Sequence, residues 1–170
     1  FIVSILVVGS IAYDNVETPY ESRERVPGGS ATYFCHAASF LSSTKLVGVV
    51  GEDFEQDHID MLKNLDVDLE GMQIKEGKTF AYGCRYEDDM NVRTTLFTDL
   101  NVFETFSPEL PESYKDAEIV FLANIHPFDL LPEKTLSDLP EKLQTRYFPK
   151  GSEIPDTGTL FDHLYLIRTG

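Results

Sequence analysis

The residues best suited to holding a ligand are the pair Gly28-Gly29 with Ser30 behind them, and an upstream carboxylate, Asp14. Glycine has no Cβ, so its backbone reaches conformations closed to other residues and lets another molecule come close. A glycine turn that opens a helix also leaves N–H groups pointing at whatever lies in front of it. Ser30 is placed to cap such a helix, with an apolar face of Ala31, Phe34, Ala38 and Leu41 at three- and four-residue spacing. Alone, a Gly-Gly pair is more often a tight turn before a core helix than a ligand cradle. Asp14 follows the run Ile2–Val8 and Gly9-Ser10, where a ligand-facing loop leaves the carboxyl end of a buried strand.

The other chemistry-bearing residues invite plainer readings. Cys35 and Cys84 have neither disulfide-framework nor metal-site spacing, and Cys35 reads as a small buried hydrophobe. The acidic stretch Glu87-Asp88-Asp89-Met90-Asn91 lacks the glycine and terminal glutamate of a calcium loop and reads as a solvated hairpin tip. His58, on the apolar side of a helical pattern, reads as packed or half-exposed rather than as a ligand.

The elements that must position these residues follow in order. Ile2–Val8 and Lys45–Gly51 are continuous apolar runs, the pattern of strands buried on both faces of a parallel sheet. Residues 15–26 read as an extended loop or edge hairpin, and helices are expected over roughly 30–42 and 54–65, the second with Phe54, His58, Met61, Leu62 and Leu65 on one side. Val67-Asp68-Leu69 closes that unit, and the strand–helix order predicts a parallel sheet with flanking helices. Thr79–Tyr86 and Arg93–Thr98 predict a hairpin in a separate small sheet, and Glu118–Ala123 a buried central strand ending at Asn124. Beyond His126-Pro127 come short helical pieces at 128–131 and 133–143, then short strands with glycine turns.

Composition narrows the partners. A net charge of −15 over 170 residues argues against nucleic acid and against an anionic membrane surface. Residues 1–124 carry 9 Lys+Arg and 22 Asp+Glu, net −13, whereas 125–170 carry 5 and 7, net −2, a shift that suggests two different pieces. No signal-peptide pattern precedes the first strand and no apolar stretch approaches a membrane span, so a cytoplasmic location is expected. The chain begins at Phe1 and stops at Gly170 in mid-pattern, so truncation at one or both ends is expected.

Four segments together resemble the N-terminal part of the ribokinase-type (PfkB) carbohydrate and nucleoside kinases. They are Ile5-Leu-Val-Val-Gly-Ser-Ile-Ala-Tyr-Asp14, Pro27-Gly-Gly-Ser-Ala31, Leu46-Val-Gly-Val-Val-Gly-Glu-Asp-Phe54 and Ala117-Glu-Ile-Val-Phe-Leu122. The resemblance implies an incomplete ribokinase-like α/β domain over residues 1–126, with a parallel sheet, flanking helices and a small β lid formed by the 79–98 hairpin and the stretch after Asp14. It implies that Asp14 accepts hydrogen bonds from two sugar hydroxyls, that Gly28 and Gly29 approach the sugar ring, and that Asn124 lies near another hydroxyl-binding position. The expected partner is a small-molecule sugar or nucleoside, with a homodimer through the lid or an open sheet edge as a further possibility. ATP and Mg2+ are implied for a complete family member.

Two departures stand out. Where the family commonly has Asn four residues after the second glycine, this chain has Tyr33, which points to an atypical or aromatic substrate. The family's late Gly-Ala-Gly-Asp turn, whose Asp is the base and whose helix N-terminus holds the transferred phosphoryl group, is not found in 1–170. No catalytic residue is therefore assigned, no cofactor is expected to bind this chain, and inactivity is expected of it as given. Residues 127–170 resemble the start of a cyclic-nucleotide-binding domain, on Pro127–Pro132, Arg146-Tyr-Phe-Pro-Lys-Gly151 and Asp162–Gly170. That domain's phosphate cassette is not present either, so the alternative is a regulatory binding module with a truncated domain, or a chimeric product.

Overall fold

Four parallel strands run side by side in the order β5-β4-β1-β8, with β1 (Ser4–Gly9), β4 (Ser43–Gly51), β5 (Val67–Lys75) and β8 (Ile119–Ala123). The structure, a computed structural model, describes residues 3–125. The expectations placed at 126–170, including the helical pieces, the short strands and the cyclic-nucleotide resemblance, lie outside the described residues.

The two apolar runs form β1 and β4 for the reason their patterning implies. Val7, Leu46 and Val50 face one side of the sheet, and Leu6, Val8 and Val47 the other, all buried. Helices α1 (Ser30–Ala38) and α2 (Gln56–Asn64) cover the first side through Ala31, Cys35, Ile59 and Leu62. The second side is covered by a segment with two single 3-10 turns, Asn101–Phe103 and Glu112–Tyr114, which brings in Phe106, Tyr114 and Ala117. Both described helices thus lie on one face. Tyr114, fully buried, donates its hydroxyl to the Asp68 carbonyl at 2.9 Å and accepts the Gly71 N–H at 3.2 Å, pinning this cover to β5. Tyr114→Phe leaves that buried amide without its acceptor and is expected to cost about 1–3 kcal/mol in urea denaturation.

A second four-stranded sheet, order β3-β2-β6-β7, is built from β2 (Ala12–Glu17), β3 (Ser22–Gly28), β6 (Phe80–Tyr86) and β7 (Arg93–Asp99). The polar stretch at 15–26 is thus the hairpin reading, β2 antiparallel to β3, and the 79–98 hairpin is β6 antiparallel to β7. A parallel β2–β6 pairing joins the two hairpins. Asp89 serves as a local acceptor at the β6–β7 tip, taking the Asn91 N–H at 3.0 Å.

Three local expectations are corrected. Helix α1 ends at Ala38, and Leu41 is 86% exposed, so the apolar face stops at Ala38. Gly29, not Ser30, is the N-cap residue, and no side chain of the cap position bonds the helix. The strand at 118–123 is, among the described residues, an edge strand, with Ile119 and Val120 about half exposed. Among the described residues no helix is long and apolar enough to cross a membrane.

Candidate substrate site

Ser10 fixes the site from the end of β1. Its N–H donates to the Ala123 carbonyl at 3.1 Å, which holds the end of β8 against it. Its Oγ accepts the Ser30 N–H at 3.2 Å, and its carbonyl accepts the Ala31 N–H at 3.0 Å. A neighbouring strand therefore caps α1, because Ser30 is already the first helical residue and stands one position too late to do so. Those two amides are committed to Ser10 rather than offered to a ligand.

The two glycines are required for different reasons. Gly29 has φ +89°, and a Cβ there would lie 2.4 Å from the Ser10 carbonyl oxygen. At Gly28 the obstacle is the candidate ligand-binding group itself: a Cβ would lie 2.2 Å from Asp14 Oδ2 and 2.3 Å from its Cγ. The Asp14 carboxylate thus rests over the Gly28 backbone, across the β2–β3 ladder in which Ala12 faces Gly28. Burial raises the Asp14 carboxyl above its ordinary value, and a hydrogen bond from Tyr33 partly opposes this. Tyr33 Oη donates to Asp14 Oδ2 at 3.4 Å. The residue singled out as a departure therefore touches the carboxylate it stands beside.

Asp14, Gly28 and Gly29 come together at the carboxyl end of the parallel sheet, where open α/β sheets bind ligands. Asn124 leaves the same end of the sheet, one residue beyond Ala123, which pairs with Gly9; it is exposed and left-handed, φ +59°. Its connection to the glycine turn runs through Ala123 and Ser10.

A second constellation escaped the sequence reading. On the opposite face of the small sheet, the Arg25 guanidinium lies 4.0 Å over the Tyr13 ring and donates to the Asp53 carbonyl at 3.0 Å. Asp53 Oδ1 accepts both the N–H and the hydroxyl of Thr79 at 2.7 Å, and Thr79 Oγ1 in turn accepts the Gly51 N–H at 3.0 Å. Tyr13 Oη accepts the Glu55 N–H at 2.9 Å and lies 3.4 Å from His58 Nδ1, so His58 is half-buried against Tyr13. Tyr13, Arg25, Asp53 and Thr79 border a pocket of about 290 Å³ whose wall also includes Phe97 and Asn101. The bonds of Arg25 and Thr79 to Asp53, and of Tyr13 to Glu55, fasten the small sheet to the β4–α2 turn. The only sequence signal was the acidic pair Glu52-Asp53 after a glycine, and it names no partner.

The Asp53 latch makes a pH-dependent prediction. Burial alone would raise its carboxyl, but the Thr79 hydrogen bonds and Arg25 outweigh that, and the net shift is downward. A carboxyl lowered on folding adds stability that is present above its unfolded pKa and lost as the pH falls through the folded value. Asp53→Ala is expected to lower stability by roughly 2–3 kcal/mol at neutral pH. The gap to wild type should narrow below about pH 4, read from urea curves at the two pH values.

Comparison with known proteins adds the lineage. Residues 3–146 match the sequence profile described as pfkB family carbohydrate kinase. A cytidine kinase of Thermococcus kodakarensis is 27% identical over 129 residues, which are 75% of this chain and 45% of that protein. The nucleoside kinase of Methanocaldococcus jannaschii, an archaeal member of the ribokinase family, superposes with a TM-score of 0.59 at 23% identity, over 75% of this chain and 46% of that one. A ribokinase of Cryptococcus neoformans in complex with ADP gives 0.56 at 18% identity, covering 71% and 42%. The Burkholderia thailandensis nucleoside kinase in complex with inosine gives 0.51 at 23%, covering 57% and 36%. The chain spans less than half the length of these relatives. With most of its length matched to that profile and its described part folded as a ribokinase-like α/β sheet with a small second sheet, the chain belongs to the pfkB family of carbohydrate kinases.

Proposed function

We propose that this chain supplies the acceptor-binding part of a kinase that transfers a phosphoryl group from ATP to a hydroxyl of a sugar or nucleoside. The observation that carries this reading is the Asp14 carboxylate, partly buried and resting over Gly28 at the carboxyl end of the parallel sheet. A carboxylate accepts two hydroxyl hydrogen bonds at once, and the missing Cβ atoms at Gly28 and Gly29 let a sugar ring come up against the backbone. Asn124, leaving the same end of the sheet, offers a further polar contact. The β2-β3-β6-β7 sheet carries Asp14 itself, so any motion of that sheet moves the carboxylate with it.

Bound ATP with Mg2+ supplies the phosphoryl group in such a reaction; the residues described here bind and orient the acceptor. Among the described residues no group of three or more His, Cys, Asp and Glu is placed to hold a metal ion. The sequence contains no Gly-Ala-Gly-Asp turn to provide a base, and the proposal is that this chain alone binds acceptor without turning it over.

The test is an NMR titration of the 170-residue chain with ribose, cytidine and inosine, beside a phosphoryl-transfer assay with ATP and Mg2+. Binding of at least one acceptor, with shifts centred on Asp14, Gly28 and Gly29 and no turnover, is the expected result. Silence towards all three, or turnover lost in Asp14→Ala, overturns the proposal.

A further inference from the structure

We propose that Tyr33 sets the acceptor class: the site takes a nucleoside, whose base lies against the exposed face of the Tyr33 ring, in preference to a free sugar. This rests on the reading of Asp14 as the hydroxyl-binding group. Tyr33 projects from the first turns of α1 with 58% of its surface exposed, so burial in the core does not explain an aromatic residue there. Its hydroxyl reaches Asp14 Oδ2, which puts one end of the ring at the carboxylate and leaves its flat face open. At 3.4 Å that hydrogen bond is long and weak, so a substrate hydroxyl at ordinary distance can displace it without great cost.

The small sheet adds aromatic surface on the same side. Asp14 stands in register with Tyr82 on β6, and alternate residues of a strand share a face, which puts Tyr82, Cys84 and Tyr86 on Asp14's side. Burial first, and then the neighbouring Asp14 carboxylate, raise the Tyr33 phenol above its ordinary value, so the ring stays neutral. The geometry is a hydroxyl-binding carboxylate next to an uncharged aromatic plane. A nucleoside has that shape in complement, a diol joined directly to a planar base. A free sugar satisfies the carboxylate but leaves the plane uncovered. Stacking on an aromatic side chain tolerates different bases, because every base has a π-face, so a pyrimidine and a purine nucleoside should both gain from it.

The experiment compares dissociation constants of cytidine, inosine and ribose for wild type, Tyr33→Ala, Tyr33→Phe and Asp14→Asn, all in the full chain. Tyr33→Ala is expected to weaken both nucleosides by about 5- to 100-fold and to leave ribose within about 2-fold. Tyr33→Phe keeps the ring and should hold nucleoside binding within a few-fold, which separates stacking from the hydroxyl. Denaturation curves check that the variants fold, as the exposure of Tyr33 leads one to expect. Equal losses for ribose and nucleosides in Tyr33→Ala, or none for either, overturns the role of Tyr33 while leaving Asp14 intact. Nucleoside binding unaffected by Asp14→Asn instead removes the reading on which the proposal rests.

Discussion

Asp14→Asn is expected to weaken acceptor binding by about 100-fold or more and, at neutral pH, to raise the melting temperature of the chain. Both effects come from one cause. The carboxylate lies partly buried over Gly28, and burial raises its pKa, with only Tyr33 in opposition. A carboxyl raised on folding contributes stability that is fully present below its unfolded pKa and is lost as the pH rises through the folded value. Above that value the ionised group is a net cost to the fold, and a neutral amide of the same shape relieves it. The same substitution replaces one of two acceptor oxygens by a donor and removes the charge from the other, so both hydroxyl contacts weaken. Affinity should also fall as the pH drops through the raised Asp14 value, above the ordinary aspartate range. Thermal melts and titrations at several pH values read both effects. A lower melting temperature in Asp14→Asn would mean that its hydrogen bonds outweigh its burial and that the group is structural. Gly28→Ala is the complementary variant, since it keeps the carboxylate and displaces it.

The contrast with Asp53 sharpens the point. Two aspartates in neighbouring elements shift in opposite directions because one is supplied with donors and the other is not. Asp53 has both donors of Thr79 and the Arg25 guanidinium, whereas Asp14 has, among the described residues, a single long hydrogen bond from a phenol. On the proposed reading, a carboxylate held without strong partners among the described residues, at the carboxyl end of a sheet, is the one left free to accept from a ligand.

How much of this was legible follows from the range of the interactions. The strands β1 and β4 were readable because a strand buried on both faces leaves an uninterrupted apolar run, and the β6–β7 hairpin because aromatic and Thr-rich runs flank a polar tip. The grouping of Asp14, Gly28 and Gly29 came from a family resemblance; composition and spacing alone allowed a plain turn. The capping of α1 by Ser10 could not be seen, because donor and acceptor belong to elements twenty residues apart, joined only by the sheet. The same holds for Arg25 and Asp53, and for Tyr33 and Asp14. The run Glu118–Ala123 reads as a central strand, yet among the described residues β8 has a neighbour on one side only, because apolar letters report what a strand is made of and leave open whether it has a neighbour on each side.

Gly9→Ala is expected to be the most damaging small substitution in the parallel sheet. A Cβ at Gly9 would lie 1.9 Å from the Ala123 carbonyl oxygen, 2.6 Å from its carbon and 2.7 Å from its Cβ. The nearest obstacles are backbone atoms of the paired strand, so no rotamer change relieves them, and β8 must move away from β1. That movement strains the β1–β8 ladder and the Ser10 N–H bond to Ala123, and it disturbs the stacking of Phe121 on Phe34, whose ring centroids are 3.7 Å apart. The expected loss is about 3 kcal/mol, at the upper end of overpacking costs. Gly48→Ala is the milder comparison: its Cβ would meet the Ile11 side chain at 2.7 Å and, less closely, the Gly9 carbonyl oxygen at 3.1 Å, and the substitution should cost roughly 1 kcal/mol. Acceptor binding should fall in Gly9→Ala as well, because Ser10 follows directly and accepts the first two amides of α1, next to Gly29. Urea denaturation with an unchanged m-value measures the first effect, and titration with cytidine the second. If Gly9→Ala proves no worse than Gly48→Ala, β8 is not held against β1 in the described register, and the placement of Asn124 beside the glycine turn falls with it.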